Sequence, residues 1–375
     1  MLIFYIISTL LLLIYFTSII FYIIGNLKEN SSYKNNLIQS VSVIVAVKNG
    51  EQSLPKILND LASQNHTGMK EFIIVDDNSK DDSKKIIMQF VAKNNNFKYV
   101  SSSEGNPKLS YKKKALDAGI KNANFDILLF TDVDCRLKQT WVQSMAQLFD
   151  SNTDYIIGVS IIDKTLNLVT WFQKIDLMML FNVARGMCKL NKPFACIGQN
   201  QAYRKTLYNK IGFLKISDSI QGDDTLFLQL CMNEKIKVKF NDNPKSFVNS
   251  RIESKISLLF KQRIRWAADL KVMWNYNKFL YLLSLSTFFT NMLIILLILD
   301  TLIINVFNNH ELLFLILLLK LILEFLLFII GNFRMKLRTN YFAFIFWFIF
   351  EIPYVVFMGI GSFFIQFISW RGQNK

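Results

Sequence analysis

Three aspartate pairs stand in order along this chain: Asp76-Asp77, Asp132-Val133-Asp134 and Asp223-Asp224. Behind them comes the pentapeptide Gln262-Arg263-Ile264-Arg265-Trp266. A lone acidic pair is a common surface turn, so the information lies in their order and in what precedes each pair. Asp132 and Asp134 follow the apolar run 126–131, which puts two carboxylates on one side of a strand-end turn. A hard divalent cation, Mg²⁺ or Mn²⁺, takes oxygen ligands and is often held by one or two carboxylates plus substrate phosphates. For an isolated D-x-D an exposed acidic turn would be the better account; placement after an apolar strand reverses that preference.

The second pair of interest, Asp223-Asp224, follows Gly222 and precedes an amphipathic stretch, Thr225 to Leu230. One carboxylate can cap that helix. The other is then free to be a general base. His66 and His310 are the only histidines, so a histidine metal centre or a Ser-His-Asp triad has almost nothing to build on. Acid–base work falls to carboxylates.

Lys112-Lys113-Lys114 opens an expected helix. Cations there oppose the helix dipole, so a lysine paired with phosphate explains the run better than a solvated basic face. Gln262 and Trp266 are four apart on an amphipathic stretch, 257–274, with Arg265 beside them. An indole can stack on a ring and an arginine can neutralise a diphosphate. An interfacial helix anchored by Trp and Arg accounts for this segment equally well.

These groups need a scaffold, and the central sequence supplies one. Short apolar runs at 41–47, 71–75, 97–101 and 126–131 read as strands. Helical stretches at 54–64, 82–93 and 112–122 alternate with them. That alternation predicts an α/β domain with a mostly parallel sheet and helices on both faces. Ligands of such sheets sit beyond the carboxyl ends of the strands, where the acidic pairs fall.

The flanks are different. The chain has 375 residues, 52% hydrophobic and 14% aromatic, with the excess at its ends. Leu2 to Ile24 is uncharged and exceeds the roughly 20 residues a spanning helix needs. A cleaved signal peptide fits poorly, since no Lys or Arg precedes the run and no small-x-small site follows. Three further apolar segments run from Phe279 to Leu299, Leu312 to Ile330, and Tyr341 to about Ser369. The short link 305–311 predicts a hairpin between the first two. Arg334, Lys336 and Arg338 mark the next loop as cytoplasmic, which also places the polar middle inside. Arg371 and Lys375 disagree unless the last segment, which contains Pro353, kinks or re-enters. Asp300, Lys320, Glu324 and Glu351 lie in these segments, with Lys320 and Glu324 spaced to neutralise one another.

The net charge of +15 fits basic residues beside an anionic membrane surface. No zinc-finger or RNA-binding signature accompanies it, so no nucleic acid partner is expected. Cys135, Cys188, Cys196 and Cys231 have no C-x-x-C spacing, consistent with reduced thiols.

From Val41 to Trp266 the chain resembles membrane-bound family 2 glycosyltransferases, the class of cellulose, chitin and hyaluronan synthases and ceramide glucosyltransferase. The resemblance implies a GT-A (Rossmann-like) fold, α/β with a mostly parallel sheet, flanked by transmembrane helices. It divides the chain into an anchor (1–26), a GT-A domain (40–250), an interfacial region (251–278) and three spans (279–370). By resemblance Asp77 contacts the nucleobase, Lys112 the diphosphate, Asp132 the nucleotide and Asp134 the metal. Gly198-Gln199-Asn200-Gln201-Ala202-Tyr203-Arg204 matches the family's G-x-N-x-A-Y-R loop at the sugar site, giving Gly198 and Asn200 as sugar or acceptor contacts. Asp224 matches the base of the E-D motif, with Asp223 in place of its Glu. Gln262, Arg265 and Trp266 match the Q-x-x-R-W that cradles diphosphate and acceptor. The first strand departs from the family's P-x-x-N-E: Glu51, expected at the nucleotide-sugar, comes one place late.

The expected activity is inverting transfer from a nucleotide-diphosphate-sugar, UDP-linked by preference, to a membrane lipid or growing glycan. The expected setting is a bacterial inner membrane, multi-pass, with a homo-oligomer or export partner completing any channel. The rival from another class is an inactive scaffold subunit of a polysaccharide export complex, against which the intact base and D-x-D speak.

Overall fold

A computed structural model describes residues 2–29, 39–217, 219, 222–304, 310–338 and 340–367. Residues 305–309 of the expected hairpin link 305–311, and Arg371 and Lys375 of the tail, lie outside them. The chain divides into two compact units: Glu29–Asp163 with Cys188–Arg251, and Met1–Lys28 with Lys164–Met187 and Ile252–Lys375. Residues 164–187, expected within the central domain, thus cluster with the terminal helices.

The first unit is α/β. Its strands are β1 (Val41–Val47), β2 (Lys70–Asp76), β3 (Phe97–Ser101), β4 (Ile127–Phe130), β5 (Tyr155–Ile157), β6 (Ser160–Ile161), β7 (Gln201–Arg204), β8 (Val238–Phe240) and β9 (Val248–Asn249). Seven form one sheet in the order β3-β2-β1-β4-β7-β5-β8, while β6 pairs with β9. Pairing is parallel except around β7, which runs antiparallel to both β4 and β5. The β7 strand was hidden in the expected sugar-site loop 198–204.

Alternation along β1 explains the two-sided packing. Val41, Val43, Val45 and Val47 share a core with Leu54, Ile57 and Leu61 of α2 (Leu54–Ala62) and with Trp141 and Met145 of α5 (Trp141–Ala146). Ile87 of α3 (Ser83–Val91) joins the same core. Ile44 points the other way, toward α4 (Tyr111–Lys121): a Cβ on Gly119 would lie 2.6 Å from its Cγ2. Two short helices follow, α7 (Lys205–Ile211) and α8 (Thr225–Met232). His66 holds Gln143 and the Gln39 carbonyl at 2.6 and 2.7 Å, a structural use of the imidazole.

The second unit is helical: α1 (Leu2–Leu27), α6 (Leu168–Lys189, all but its last two residues), α9 (Ile256–Tyr276), α10 (Lys278–Leu299), α11 (His310–Arg334) and α12 (Tyr341–Gly361). Among the described residues four helices, α1 and α10 to α12, are long and apolar enough to cross a membrane. Helix α12 continues through Pro353, tolerable where neighbouring helices re-satisfy the freed carbonyl. Helix α6 crosses α1 at backbone contact: a Cβ on Gly25 would fall 1.9 Å from the Gly186 carbonyl oxygen. Beside that crossing, buried Arg185 donates to Asn26 Oδ1 at 3.2 Å, and Asn26 donates to the Asn182 carbonyl at 2.7 Å.

Candidate active site

Two of the expected carboxylates converge on the ammonium of a third expected residue. Strand β4 ends at Phe130, and the chain turns through Asp132 to Asp134, closed by a Cys135 N–H bond to the Asp132 carbonyl. Lys112, in the first turn of α4, reaches Asp132 Oδ1 at 2.8 Å and Asp223 Oδ2 at 3.0 Å. About a third of the lysine side chain is open to solvent. Burial works against its charge, but the two carboxylates outweigh it and raise its pKa above the ordinary lysine range.

Asp224 stands beside this cluster. Its Oδ1 accepts the Thr225 N–H at 2.6 Å and caps α8, so the residue that matches the base is also the cap, and the expected division of the two tasks between Asp223 and Asp224 does not hold. Its Oδ2 accepts the Gly198 N–H at 3.1 Å. Burial first, then the neighbouring Asp223 charge, pushes its carboxyl up to about 6, against the two N–H groups and Lys112. A carboxylate in that range suits a general base.

Gly198 lies against Lys112, Asp223 and Asp224. A Cβ there would lie 3.0 Å from Asp223 Oδ2, 3.1 Å from Lys112 Nζ and 3.6 Å from Asp224 Oδ2. Any side chain would intrude on the cluster. Neighbouring residues fix the loops that carry it. Thr225 Oγ1 donates to the Cys196 carbonyl at 3.0 Å, and Gln201 Nε2 donates to the Asp223 carbonyl at 3.1 Å. Tyr155 in turn donates its hydroxyl to Gln201 Oε1.

The other expected residues are placed differently. Asn200 is wholly buried; it accepts from Trp141 Nε1 at 2.9 Å and donates to the Val159 and Ser246 carbonyls at 2.8 and 2.9 Å. Its amide is a strut between loops. Asp77 pairs with Lys48 at 3.3 Å, and its N–H bonds the Val47 carbonyl at 2.7 Å. Glu51 Oε2 accepts the Asp82 N–H at 3.1 Å, fastening the loop after β1 to the loop after β2. Gln262, Arg265 and Trp266 lie on α9 in the helical unit. There the Arg263 guanidinium sits 4.0 Å from the centre of a Trp266 ring and pairs with Asp176 at 2.9 Å.

Asp134 follows Asp132 at the same turn and is half-buried. Among the described residues no group of three or more His, Cys, Asp or Glu side chains forms a metal cage. Two carboxylates alone suit a cation whose remaining ligands are phosphate oxygens and water.

Sequence reasoning did not separate the three lysines. Lys113 is fully buried and donates to Ser219, bonding its Oγ at 3.1 Å and its carbonyl, just ahead of the Gly222 turn. Tyr111, the residue before Lys112, takes φ +56°, a left-handed conformation uncommon for a residue with a bulky side chain.

Comparison with known proteins bears on the family and the fold. Residues 42–212 match the family model described as Glycosyl transferase family 2. The chain is 24% identical over 233 residues to the poly-beta-1,6-N-acetyl-D-glucosamine synthase of Staphylococcus epidermidis, covering 61% of this chain and 54% of that one. It is 33% identical over 104 residues to the glycosyltransferase AglE of Haloferax volcanii, covering 28% and 33% respectively. The matches therefore span a third to about half of these relatives' own lengths. Among solved structures, a mannosyltransferase of Pyrobaculum calidifontis, PcManGT, in complex with GDP-Man and Mn²⁺, superposes with a TM-score of 0.64 at 13% identity. That match covers 95% of this chain and 98% of the other, and it shows the fold. The α/β unit therefore has the GT-A fold and carries the match to the glycosyl transferase family 2 model.

Proposed function

We propose that the protein is an inverting glycosyltransferase that moves a sugar from a nucleotide-diphosphate-sugar to a membrane-associated acceptor, a lipid or a growing glycan. One observation carries the reading. Asp224, held by two backbone N–H groups and with its carboxyl pushed up by burial, stands beside a lysine shared by Asp132 and Asp223.

Each group then has a task. Lys112 exchanges its carboxylate contacts for the donor diphosphate, pairing charge with charge as the leaving group departs. Gly198 leaves room for the transferred sugar. Asp224 Oδ2 takes the proton from the acceptor hydroxyl as that oxygen attacks the anomeric carbon. The C–O bond to the diphosphate breaks and its electron pair stays on the phosphate oxygen. One displacement with one base inverts the anomeric centre. Asp132 and Asp134 would hold a divalent cation with the diphosphate, Mg²⁺ or Mn²⁺; when bound it supplies charge neutralisation at the leaving group. The metal named with the Pyrobaculum protein supports that choice.

Asp77 and Glu51 are assigned to the nucleotide end, and Gln262, Arg265 and Trp266 to the diphosphate and acceptor. Asn200 acts through the loop it braces. The four apolar helices and the staphylococcal relatives support a bacterial inner-membrane enzyme with its α/β unit in the cytoplasm.

The test uses membranes carrying the protein or Asp224→Asn, a divalent cation, and a panel of radiolabelled UDP- and GDP-sugars. Asp224-dependent label in organic solvent means a glycolipid product; in the high-mass fraction it means a polysaccharide. No Asp224-dependent label from any donor would defeat the enzyme reading and favour an inactive export-complex subunit.

A further inference from the structure

Helices of the second unit meet around a single buried lysine. Lys320 of α11 is wholly buried, and its Nζ lies 2.8 Å from each oxygen of Glu324 and 2.7 Å from Oε2 of Glu351 on α12. Tyr15 of α1 donates its hydroxyl to Glu324 Oε1 at 2.6 Å. Asn291 of α10 approaches Glu351 Oε1 at 3.4 Å. The rings of Tyr15 and Phe348 close over the ammonium, with centroids at 5.9 and 5.0 Å. Both carboxylates are buried.

The charges in this cluster do not balance. One ammonium facing two ionised carboxylates leaves a net charge of minus one among apolar helices. An uncompensated charge in such surroundings is costly enough that the group takes up a proton instead. Beyond the cluster, Asp176 of α6 bears on Glu351, and Arg263 of α9 is the partner of Asp176. Those two pair with each other at 2.9 Å, so together they bring no net positive charge. Tyr15 serves as a neutral donor, and Asn291 carries no charge.

We infer that Lys320, Glu324 and Glu351 form a binding site for one exchangeable proton inside the helical bundle. Geometry assigns its resting place. Glu324 receives three donor contacts of ordinary length, two from Lys320 and one from Tyr15. Glu351 receives one, and its Oε1 faces only the 3.4 Å approach of Asn291, beyond the usual N–H···O range of about 2.7–3.2 Å. Donated hydrogen bonds favour the ionised form, so Glu324 is the carboxylate and Glu351 the acid. The proton enters from water onto Glu351 Oε1 and returns to water; no other bond forms or breaks. Because the site joins α1, α11 and α12 through Tyr15, Lys320 and Glu351, its protonation state governs how firmly those helices are tied.

Infrared difference spectroscopy on the full chain in lipid nanodiscs tests this without reference to glycosyl transfer. Spectra are taken above the range where Asp224 titrates and normalised to the amide band. The wild type is expected to show a protonated-carboxyl C=O stretch. Glu351→Gln and Glu324→Gln should each remove it, because either leaves a neutral lysine–carboxylate pair. Lys320→Met should enlarge it, because two carboxyls then lack a cation. A wild-type spectrum without the band, or a band that both glutamine variants leave intact, overturns the inference.

Discussion

The two units each contain a lysine shared by two carboxylates, and the resemblance ends at solvent. In the α/β unit Lys112 sits between Asp132 and Asp223 with side-chain exposures of 34%, 28% and 9%. In the helical unit Lys320 sits between Glu324 and Glu351 at 0%, 8% and 7%. An open cluster can trade a carboxylate for an incoming phosphate at little cost, since water screens the exchange. A closed one has no such partner available, and its charge is settled by a proton. Equal charge arithmetic thus suits binding in one place and helix cohesion in the other.

Neutralising each lysine in turn gives the sharpest test of that difference. Lys112→Met should lower kcat/KM by roughly 10²–10³, the loss seen when one charge-stabilising donor is removed from a reaction site. Its melting temperature should stay close to wild type. Lys320→Met should do the reverse, destabilising the fold by about 3–5 kcal/mol, as broken buried pairs do. A thermal melt alongside steady-state kinetics reads both. Equal stability losses in the two variants would end the comparison.

Next in size is the metal. Asp134→Ala should weaken divalent-dependent donor binding, measured by calorimetry, by at least the roughly 10–100-fold that outer-shell changes alone produce. Donor affinity measured in chelator should change little.

The pH dependence follows from Asp224. As a base it must be ionised, so kcat/KM should rise as pH increases through about 6 and level off above it. The stability effect has the opposite sign. The folded state holds this proton more tightly than the unfolded chain, so Asp224 makes stability fall between 3.8 and about 6 as pH rises. Asp224→Asn should remove that contribution. An activity limb centred in the ordinary carboxylate range would show that the burial of Asp224 is relieved in solution.

The open cluster was far more legible in the sequence than the closed one, for a physical reason. Strands β1 to β4 are short apolar runs that end in polar residues, so local pattern alone set Asp132 at a strand end and Lys112 at a helix start. The parallel sheet then brings such ends together. In the helical unit the determining contacts carry no local period. Lys320 and Glu324 are four apart and were visible; Glu351 joins them from another helix and was not paired with them. Helix α6 escaped notice because Lys174, Asp176 and Arg185 interrupt its apolar pattern. The last two have their partners on α9 and α1, far away in sequence. Lys113 was obscured differently: three adjacent lysines give no hint which one is buried.

The smallest effect concerns the residue that aims Lys112. Tyr111 holds φ +56° at the first position of α4, where a β-carbon crowds the backbone. For a single non-glycine residue such a conformation costs about 1–2 kcal/mol. Tyr111→Gly removes that crowding but also adds freedom to the unfolded chain, worth about 0.5–1 kcal/mol in the other direction. The net stability change should therefore be under about 1 kcal/mol in either direction by thermal melt. Its effect on donor affinity is the more informative reading. If the strained turn serves to hold Lys112 toward Asp132 and Asp223, glycine should loosen the lysine and raise the donor Kd even where stability is unchanged. Unchanged affinity would mean that the two carboxylates alone position the ammonium, and that the open cluster, like the closed one, is organised by charge rather than by backbone.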